Sequence, residues 1–298
     1  MIYWLHLLGR YLARLIPLPV SYRLAALGAP LVYFAWPSKR RNAVANVVQM
    51  LGRDEPRAAA ERLALAAFRN YGRYLIDMLR LGGAEIARVE RQLTVRGVEH
   101  LDAALARGKG LIFVGGHLGN SDLAVAVLAG RGYPITIIAE TLQPPRWNAL
   151  VQRTRHAAGV QTIPPESGVR GSLDVLRRNE VLGILIDRPT HGEEQGVAVR
   201  FFDAWTRVPG GVATLALRTG ASILPACMVR DGAGWVIHVH PPVPAERSGN
   251  LQADVQRLTQ QTMAAMESFV RQYPDQWFMF RPMWPAAPTE PAVYALGG

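Results

Sequence analysis

The sequence is poor in cysteine, in lysine and in long apolar runs. Its 298 residues contain one cysteine, Cys227, so no disulfide can form within the chain, and its apolar neighbours favour a buried core thiol over a nucleophile. A reducing, cytosol-facing location fits this composition. An apolar stretch over residues 24–36 is shorter than the roughly 20 residues that a membrane-spanning helix needs. A spanning helix stays an alternative if a segment beginning at residue 20 tolerates Arg23.

Acidic residues are also scarce, and the imbalance is concentrated near the N-terminus. The formal net charge is +10, with 33 basic and 23 acidic residues. Residues 1–80 contain twelve of the basic residues and four of the acidic ones, so most of the excess lies there. Because this segment is rich in Trp, Tyr and Leu and carries no helix-turn-helix, zinc-finger or RNP-like pattern, it indicates an anionic membrane surface rather than nucleic acid. A bias of the genome toward arginine codons explains Arg over Lys but not the clustering.

Residues 2–16 have the periodicity of an amphipathic helix that ends at Pro17. Arg10 and Arg14 are expected on one side of it, and the other side is apolar. That side is formed by Trp4, Leu7, Leu8, Tyr11, Leu12 and Leu15. With residues 24–36 this helix predicts an interfacial membrane anchor, and no secretory cleavage site follows it. We therefore expect a membrane-associated helical segment over residues 1–45.

After residue 90 the sequence alternates short β-type runs with helical patterns, which predicts an α/β fold with a mostly parallel sheet flanked by helices. A final pair of strands, residues 223–229 and 235–239, is expected to be antiparallel. No linker divides the chain, so one catalytic domain is predicted over residues 46–285, followed by a loose tail over residues 286–298.

The segment from Leu111 to Asp122 carries the strongest chemical signal. An apolar strand runs into Gly115-Gly116 and is followed by His117, with Asp122 five residues further on in the first turn of a predicted helix. A strand end that meets a helix start is where open α/β sheets bind ligands, and free N–H groups there suit a developing oxyanion. We predict that His117 is a general base and that Asp122 reaches back to orient its imidazole.

Other residues are candidates for substrate binding because they lie at equivalent strand ends or helix starts. They are Asn120, Glu140, Arg188 and Gly210. For Arg188 the alternative is a local ion pair with Asp187 or Glu193, for Glu140 helix capping, and for Gly210 packing. No metal site is predicted, because His238 and His240 have no third ligand nearby. A serine nucleophile is not expected, because no Gly-x-Ser-x-Gly elbow exists.

The segment His117-Leu118-Gly119-Asn120-Ser121-Asp122 resembles the His-x4-Asp signature of the glycerolipid acyltransferase superfamily, in the branch that acylates lipid A precursors and phosphatidylinositol mannosides. Two further blocks are similar to that branch: residues 197–203 with 208–211, and residues 274–284, which include Gln276-Trp277 and Trp284. Ile186-Asp187-Arg188 stands at its Asp-Arg element. The resemblance spans roughly residues 20–285. This sequence departs from it at Ser121, where Trp is usual, and at Asp203-Ala204, where Gly-Glu is usual.

The resemblance implies a glycerol-3-phosphate acyltransferase-like fold and a membrane-associated O-acyltransferase on the cytoplasmic face of the inner membrane. It implies transfer of a fatty acyl chain from acyl carrier protein or coenzyme A, as co-substrate and without a further cofactor, to a glycolipid hydroxyl. A lipid A precursor is the first expectation, a phosphatidylinositol mannoside the second and a lysophospholipid the third. Alternatives of other classes are a lipid ester hydrolase and a non-catalytic membrane-binding protein.

Overall fold

The computed structural model describes residues 1–52, 54–190 and 196–284. Its N-terminal part is helical, and the sheet begins only at residue 93. The helices that precede the sheet are α1 (Ile2–Leu15), α2 (Leu18–Ala35), α3 (Pro37–Leu51), α4 (Arg57–Arg80) and α5 (Gly83–Glu90). The predicted loose tail over residues 286–298 lies outside the described residues.

The predicted α/β alternation is confirmed in the rest of the chain. The elements there are β1 (Leu93–Arg96), α6 (Val98–Ala106), β2 (Leu111–Gly115), α7 (Ser121–Gly130), β3 (Ile135–Ile138), α8 (Pro145–Ala157), β4 (Gln161–Ile163), α9 (Gly168–Arg177), β5 (Val181–Leu185), β6 (Val197–Phe201), β7 (Ala204–Val208), α10 (Gly211–Thr219), β8 (Ser222–Asp231), β9 (Gly234–Val239) and α11 (Leu251–Gln272). The hairpin of β6 and β7 was not among the predicted elements.

Seven of the nine strands in the described residues form one sheet, in the order β1-β9-β8-β2-β5-β3-β4, and β6 and β7 form a separate hairpin. All neighbours in the seven-stranded sheet are parallel except β8 and β9, which form the predicted antiparallel pair. Strand β2 lies in the middle, and its residues Leu111 to Val114 are buried. Such a continuous apolar run is what a strand covered on both faces requires. The more specific likeness to a glycerol-3-phosphate acyltransferase fold stays a prediction.

The hairpin of β6 and β7 packs beside α11 and places two aromatic side chains in the core. Phe201 and Phe202 are buried, and their rings contact those of Trp277 and Trp284. The turn between the strands has φ of +60° at Asp203. Glycine adopts this conformation freely, and aspartate is among the few other residues that tolerate it. The departure from the family pattern at Asp203 is therefore compatible with the same turn.

Helix α1 is amphipathic, and most of the predicted apolar side faces outward. Arg10 points inward and donates to Thr154 Oγ1 on α8 at 2.7 Å, and the Trp147 indole donates to His6 at 3.3 Å, whereas Arg14 is exposed. The outward surface is apolar. It is formed by Ile2, Trp4, Leu5, Leu8, Tyr11, Leu12 and Leu15. Arg10 and Arg14 are four residues apart and share the other side of the helix, as predicted.

Helix α2 is longer than the predicted apolar stretch, because it begins at Leu18 and continues through Arg23 and Pro30. Its length and composition are sufficient to cross a membrane, and 17% of it is buried within the protein. One side packs on α4. The exposed side is apolar and includes Val20, Leu24, Leu27, Leu31, Val32 and Phe34. Together with the outward side of α1 it forms a surface that we call the apolar face.

The N-terminal helices are joined to the C-terminal segment by α3. Asn46 is buried there, and its amide donates to the carbonyls of Met279 and Arg281 while its oxygen accepts the N–H of Met283. Helix α3 is continuous across residues 45 and 46, where the boundary between the anchor and the catalytic domain was predicted. The helix that contains this boundary is thus fastened to the catalytic part of the chain.

Candidate active site

The His117 loop, residues 116–120, begins at the carboxyl end of β2. The neighbouring parallel strand β5 ends beside it, and Asp187 follows that strand. A Cβ at Gly116 would lie 2.5 Å from the Met266 side chain and 2.8 Å from Asp187 Oδ2. Only glycine fits there without a shift of these neighbours. This close approach allows the loop to pass directly over the Asp187 carboxylate.

Asp187 is fully buried and binds His117 twice. Its Oδ1 lies 2.7 Å from His117 Nδ1, and its Oδ2 accepts the backbone N–H of His117 at 2.8 Å. Oδ2 also accepts the indole N–H of Trp277 at 2.9 Å. Burial alone would raise the pKa of Asp187, but the His117 side chain, the indole and the backbone N–H together lower it. The carboxylate is thus held ionised by three donors.

This contact determines which nitrogen of His117 can react. An ionised carboxylate only accepts hydrogen bonds, so Nδ1 of the imidazole is the donor, and in the neutral form of the ring the lone pair of Nε2 is free. The side chain is a quarter exposed, and Nε2 binds no group in the described part of the chain. The geometry is that of a base with an orienting acid. It was Asp122 that we predicted in the orienting position, and the structure places Asp187 there instead.

Asp122 is turned toward other partners. Its Oδ1 accepts from Nε of Arg155 on α8 at 2.8 Å, and its Oδ2 accepts from the Tyr74 hydroxyl on α4 at 3.2 Å. The predicted contact with His117 is wrong for a local reason. Asp122 lies in the first turn of α7, and its carboxylate points to the side where α4 and α8 pack. The His-x4-Asp spacing brings the two residues into one loop and helix start without pairing them.

The side chain of Asn120 forms hydrogen bonds within the protein rather than pointing to a substrate. Its side-chain oxygen caps α7 by accepting the N–H of Leu123 at 3.0 Å, and its amide donates to Asp77 Oδ2 at 3.3 Å. Because Asn120 is buried and both ends of its amide are bound, the predicted substrate contact is not supported. Its role in capping follows from the preference for asparagine at this position.

Most backbone N–H groups of the His117 loop are also occupied. The N–H of Gly119 donates to the carbonyl of Gln276, and that of Asn120 donates to Met228. The carbonyl of His117 accepts the N–H of Phe278 at 2.7 Å. The donors of His117, Gly119 and Asn120 are therefore not available to an oxyanion, contrary to our expectation. These hydrogen bonds hold the loop to Gln276 and Phe278 on one side and to Met228 of β8 on the other.

Glu140 and Arg188 meet at the exposed rim of the site. Nη1 of Arg188 lies 3.0 Å from Oε2 of Glu140, a partner that differs from both ion pairs considered above. This hydrogen bond lowers the pKa of Glu140, and the charges of Arg281 and His117 act in the same direction. Glu193 lies outside the described residues. The rim near His117 thus carries a carboxylate and two guanidinium groups, a polar set suited to hydroxyl and phosphate groups.

Gly210 precedes α10 and is close to apolar side chains. A Cβ at this position would lie 2.6 Å from Cγ2 of Val197 and 3.2 Å from Cγ1 of Val255. Packing of β6 and α11 against this turn explains the glycine. Substrate binding at Gly210 stays a prediction.

Histidines away from the site have partners within the protein. His238 Nε2 lies 2.9 Å from the Tyr273 hydroxyl, and His240 packs on Phe269. Within the described ranges, no three His, Cys, Asp or Glu side chains come together as metal ligands would.

Two residues of the site were not identified as functional from the sequence alone. Asp187 follows an apolar strand, so its place at a strand end was visible, but its pairing depends on β5 being next to β2. Trp277 lies 160 residues after His117 in the sequence, and no local pattern predicts that its indole would reach Asp187.

Comparison with known proteins shows which sequences this chain resembles. Residues 1–285 match the family model described as bacterial lipid A biosynthesis acyltransferase. Phosphatidylinositol mannoside acyltransferase of Mycobacterium tuberculosis (strain H37Rv) is 34% identical over 82% of this chain and 77% of its own. The protein of the same name from Mycolicibacterium smegmatis is 30% identical over 80% and 77%. Lipid A biosynthesis acyltransferase of Haemophilus influenzae is 25% identical over 68% and 64%.

Proposed function

The chain belongs to the bacterial lipid A biosynthesis acyltransferase family and is an acyl-transferring enzyme, and from this premise we propose that it moves a fatty acyl chain from a thioester to a hydroxyl of a glycolipid acceptor. The donor is acyl carrier protein or coenzyme A loaded with the acyl chain. The observation that carries the proposal is the His117–Asp187 pair, which leaves Nε2 of the imidazole open at a strand end.

In this mechanism His117 acts as base and then as acid. Nε2 takes the proton of the acceptor hydroxyl while the hydroxyl oxygen forms a bond to the thioester carbonyl carbon. The tetrahedral intermediate collapses by breaking the C–S bond, and the imidazolium returns the proton to the leaving thiolate. The products are an ester and a free thiol. Asp187 stays ionised and stabilises the transient imidazolium, so it need not carry the proton itself.

Asp122 has a different role in this proposal from the one predicted. Because it holds Arg155 and Tyr74, we assign it to the support of the acceptor side of the site rather than to the base. Its partner Arg155 presents a cation close to the loop that carries His117. Glu140 and Arg188 at the rim are the candidate contacts for the sugar or phosphate of the acceptor.

The comparisons change the expected order of acceptors. The relatives named phosphatidylinositol mannoside acyltransferase share 30% and 34% identity with the chain, and the lipid A relative shares 25% over a shorter alignment. We therefore place a mannosylated phosphoinositide or a related glycolipid ahead of a lipid A precursor. A lysophospholipid remains third.

The apolar face of α1 and α2 supports action at a membrane. Large apolar side chains are exposed on both helices, although each helix also has an inward side with specific contacts. We propose that this face lies in the interface of the inner membrane, on its cytoplasmic side, as in a peripheral or monotopic protein. Lipid acceptors and the acyl chains of the donor would then be reached without leaving the bilayer surface.

The acceptor assay tests the proposal directly. Purified protein is mixed with radiolabelled palmitoyl-coenzyme A or palmitoyl-acyl carrier protein and with each of three acceptors in mixed micelles. The acceptors are a phosphatidylinositol mannoside, a tetra-acylated lipid A precursor and a lysophospholipid. We expect an ester product with the mannoside and loss of that product in His117→Ala. Hydrolysis of the donor without transfer to any acceptor would contradict an acyltransferase acting on these lipids.

A further inference from the structure

Asp77 of α4 is a buried carboxylate that the proposed mechanism does not use. Its side chain is 1% exposed. Oδ1 accepts from the Tyr22 hydroxyl at 2.5 Å, and Oδ2 accepts from Arg230 Nη2 at 2.6 Å. The same Oδ2 accepts from the Asn120 amide at 3.3 Å. A carboxylate so far from solvent is retained only when its partners compensate for its desolvation.

The partners of Asp77 lie in three different parts of the protein. Tyr22 belongs to α2, whose other side contributes to the apolar face. Arg230 belongs to β8, and its guanidinium lies between the rings of Tyr22 and Trp235, 4.5 and 4.0 Å from their centroids. Asn120 is the last residue of the His117 loop and caps α7. The Asp77 carboxylate therefore contacts both α2 and the His117 loop.

Arg230 extends the connection to the other side of the loop. Its backbone N–H and carbonyl both bind the Gln276 side chain, at 2.9 Å each. The backbone carbonyl of Gln276 in turn accepts the N–H of Gly119. The His117 loop is thus reached from the Asp77 cluster along two routes, one through Asn120 and one through Arg230 and Gln276.

We propose that Asp77 is a positioning residue for His117, and that Tyr22 makes this positioning depend on how α2 is seated in the membrane interface. Both parts rest on the proposed function, in which His117 is the base. Neither residue touches the reacting atoms. Small displacements of a catalytic base can lower turnover by about 100-fold, so a loop held by few contacts is sensitive to the loss of one.

The first experiment compares Asp77→Ala and the milder Asp77→Asn with a matched control. Asp254→Ala removes another buried aspartate that binds an arginine, Arg257, at 2.9 Å, but it belongs to α11 and has no contact with the loop. We expect kcat to fall by about tenfold or more in Asp77→Ala and less in Asp77→Asn, with KM for the donor within about twofold of the unsubstituted value. Asp254→Ala should keep its kcat.

Hydrogen exchange provides a readout that does not depend on activity. Loss of Asp77 should accelerate exchange of the backbone amides over residues 117–124, because the Asn120 cap on Leu123 loosens, and Asp254→Ala should leave this segment unchanged. Unaltered exchange there and unaltered kcat in folded Asp77 variants would overturn the proposal. If the unsubstituted protein transferred no acyl group, the proposed function would fail, whereas exchange would still decide the positioning role.

The second experiment tests the connection to the membrane with Tyr22→Phe. Its control is Tyr33→Phe on the same helix, because Tyr33 is buried against Phe68 and its hydroxyl makes no hydrogen bond within the described residues. Transfer to a water-soluble short-chain glycoside is measured with and without vesicles of anionic phospholipid. Vesicles should raise kcat of the unsubstituted protein and of Tyr33→Phe, and this stimulation should be lost in Tyr22→Phe. Absence of stimulation in the unsubstituted protein, or equal stimulation in Tyr22→Phe, would contradict the coupling.

Discussion

Nδ1 of His117 and Oδ1 of Asp187 are 2.7 Å apart, although 70 residues separate them in the chain. They meet because β2 and β5 are parallel neighbours, so the residues that follow both strands emerge at the same edge of the sheet. The backbone N–H of His117 binds the other oxygen of Asp187 and fixes the loop as well as the ring. A carboxylate in this position orients the imidazole and stabilises its charged form.

Substitution of either member of this pair should remove most of the activity. We expect His117→Ala and Asp187→Asn each to lower kcat by about 10²–10⁴-fold, because the first lacks the base and the second favours the wrong tautomer. The double variant should be little slower than the slower single variant, since the two residues act as a unit. Asp174→Asn on the surface of α9, where an exposed ion pair with Arg177 is lost, is the control. Multiplied losses in the double variant would show that the two residues act independently.

Asp122→Asn tests which carboxylate orients His117, the one predicted from the spacing, Asp122, or the one that the structure places there, Asp187. Because Asp122 binds Arg155 and Tyr74 rather than His117, we expect its loss to raise the KM for the acceptor and to lower kcat less than Asp187→Asn does. Steady-state kinetics with the acceptor varied at saturating donor provide the measurement. A fall in kcat as deep as that of Asp187→Asn, with KM unchanged, would return Asp122 to the role of orienting acid.

Asp122 and Asp187 also show how much of the site could be predicted from the sequence. The strand before His117, the loop, the cap at Asn120 and the start of α7 follow from residue types within a dozen positions, and all of them are observed. The partner of His117 could not be found in this way, because it depends on the order of strands in the sheet. The two sides of α1 also follow from its sequence, but the packing of Arg10 on Thr154 of α8 does not, because it depends on how distant helices are arranged.

Trp277→Phe tests the third donor to Asp187, and Trp284→Phe is its matched control. The indole of Trp284 binds the carbonyl of Phe201 at 3.2 Å and does not contact Asp187. We expect Trp277→Phe to lower the free energy of unfolding by about 1–3 kcal/mol, because a buried carboxylate loses a hydrogen bond. Thermal unfolding at neutral pH provides this measurement.

Trp277→Phe and Trp284→Phe should also differ in how sensitive their stability is to acid. The pKa of Asp187 is lowered in the folded protein, so its contribution to stability is present above the unfolded pKa and is lost as pH falls through the folded pKa. Removal of the indole donor raises the folded pKa, and the loss should therefore begin at a higher pH in Trp277→Phe than in Trp284→Phe. Identical pH profiles would indicate that the indole does not stabilise the charge.

Cys227 should play no part in catalysis. Burial raises the pKa of its thiol, so it is protonated and inaccessible in the folded protein. We expect iodoacetamide at pH 8 to leave it unmodified until the protein unfolds, and Cys227→Ala to retain its kcat in the presence of a chelator. Initial rates with both substrates varied should follow a sequential pattern. Capture of a labelled acyl group on the protein would instead show a covalent intermediate.

The apolar face can be tested without removing α1 or α2, whose inward sides hold contacts that deletion would destroy. We expect the triple variant Trp4→Ser, Leu8→Ser, Leu12→Ser to keep its melting temperature, because these side chains are exposed in the protein. If each substitution makes the transfer free energy from water to the membrane interface about 1 kcal/mol less favourable, partitioning into vesicles should fall by about 100-fold. Flotation with anionic vesicles measures this change. Val169→Ser, which replaces an exposed apolar residue of α9, should float as the unsubstituted protein does, and equal flotation of the triple variant would place the membrane contact elsewhere.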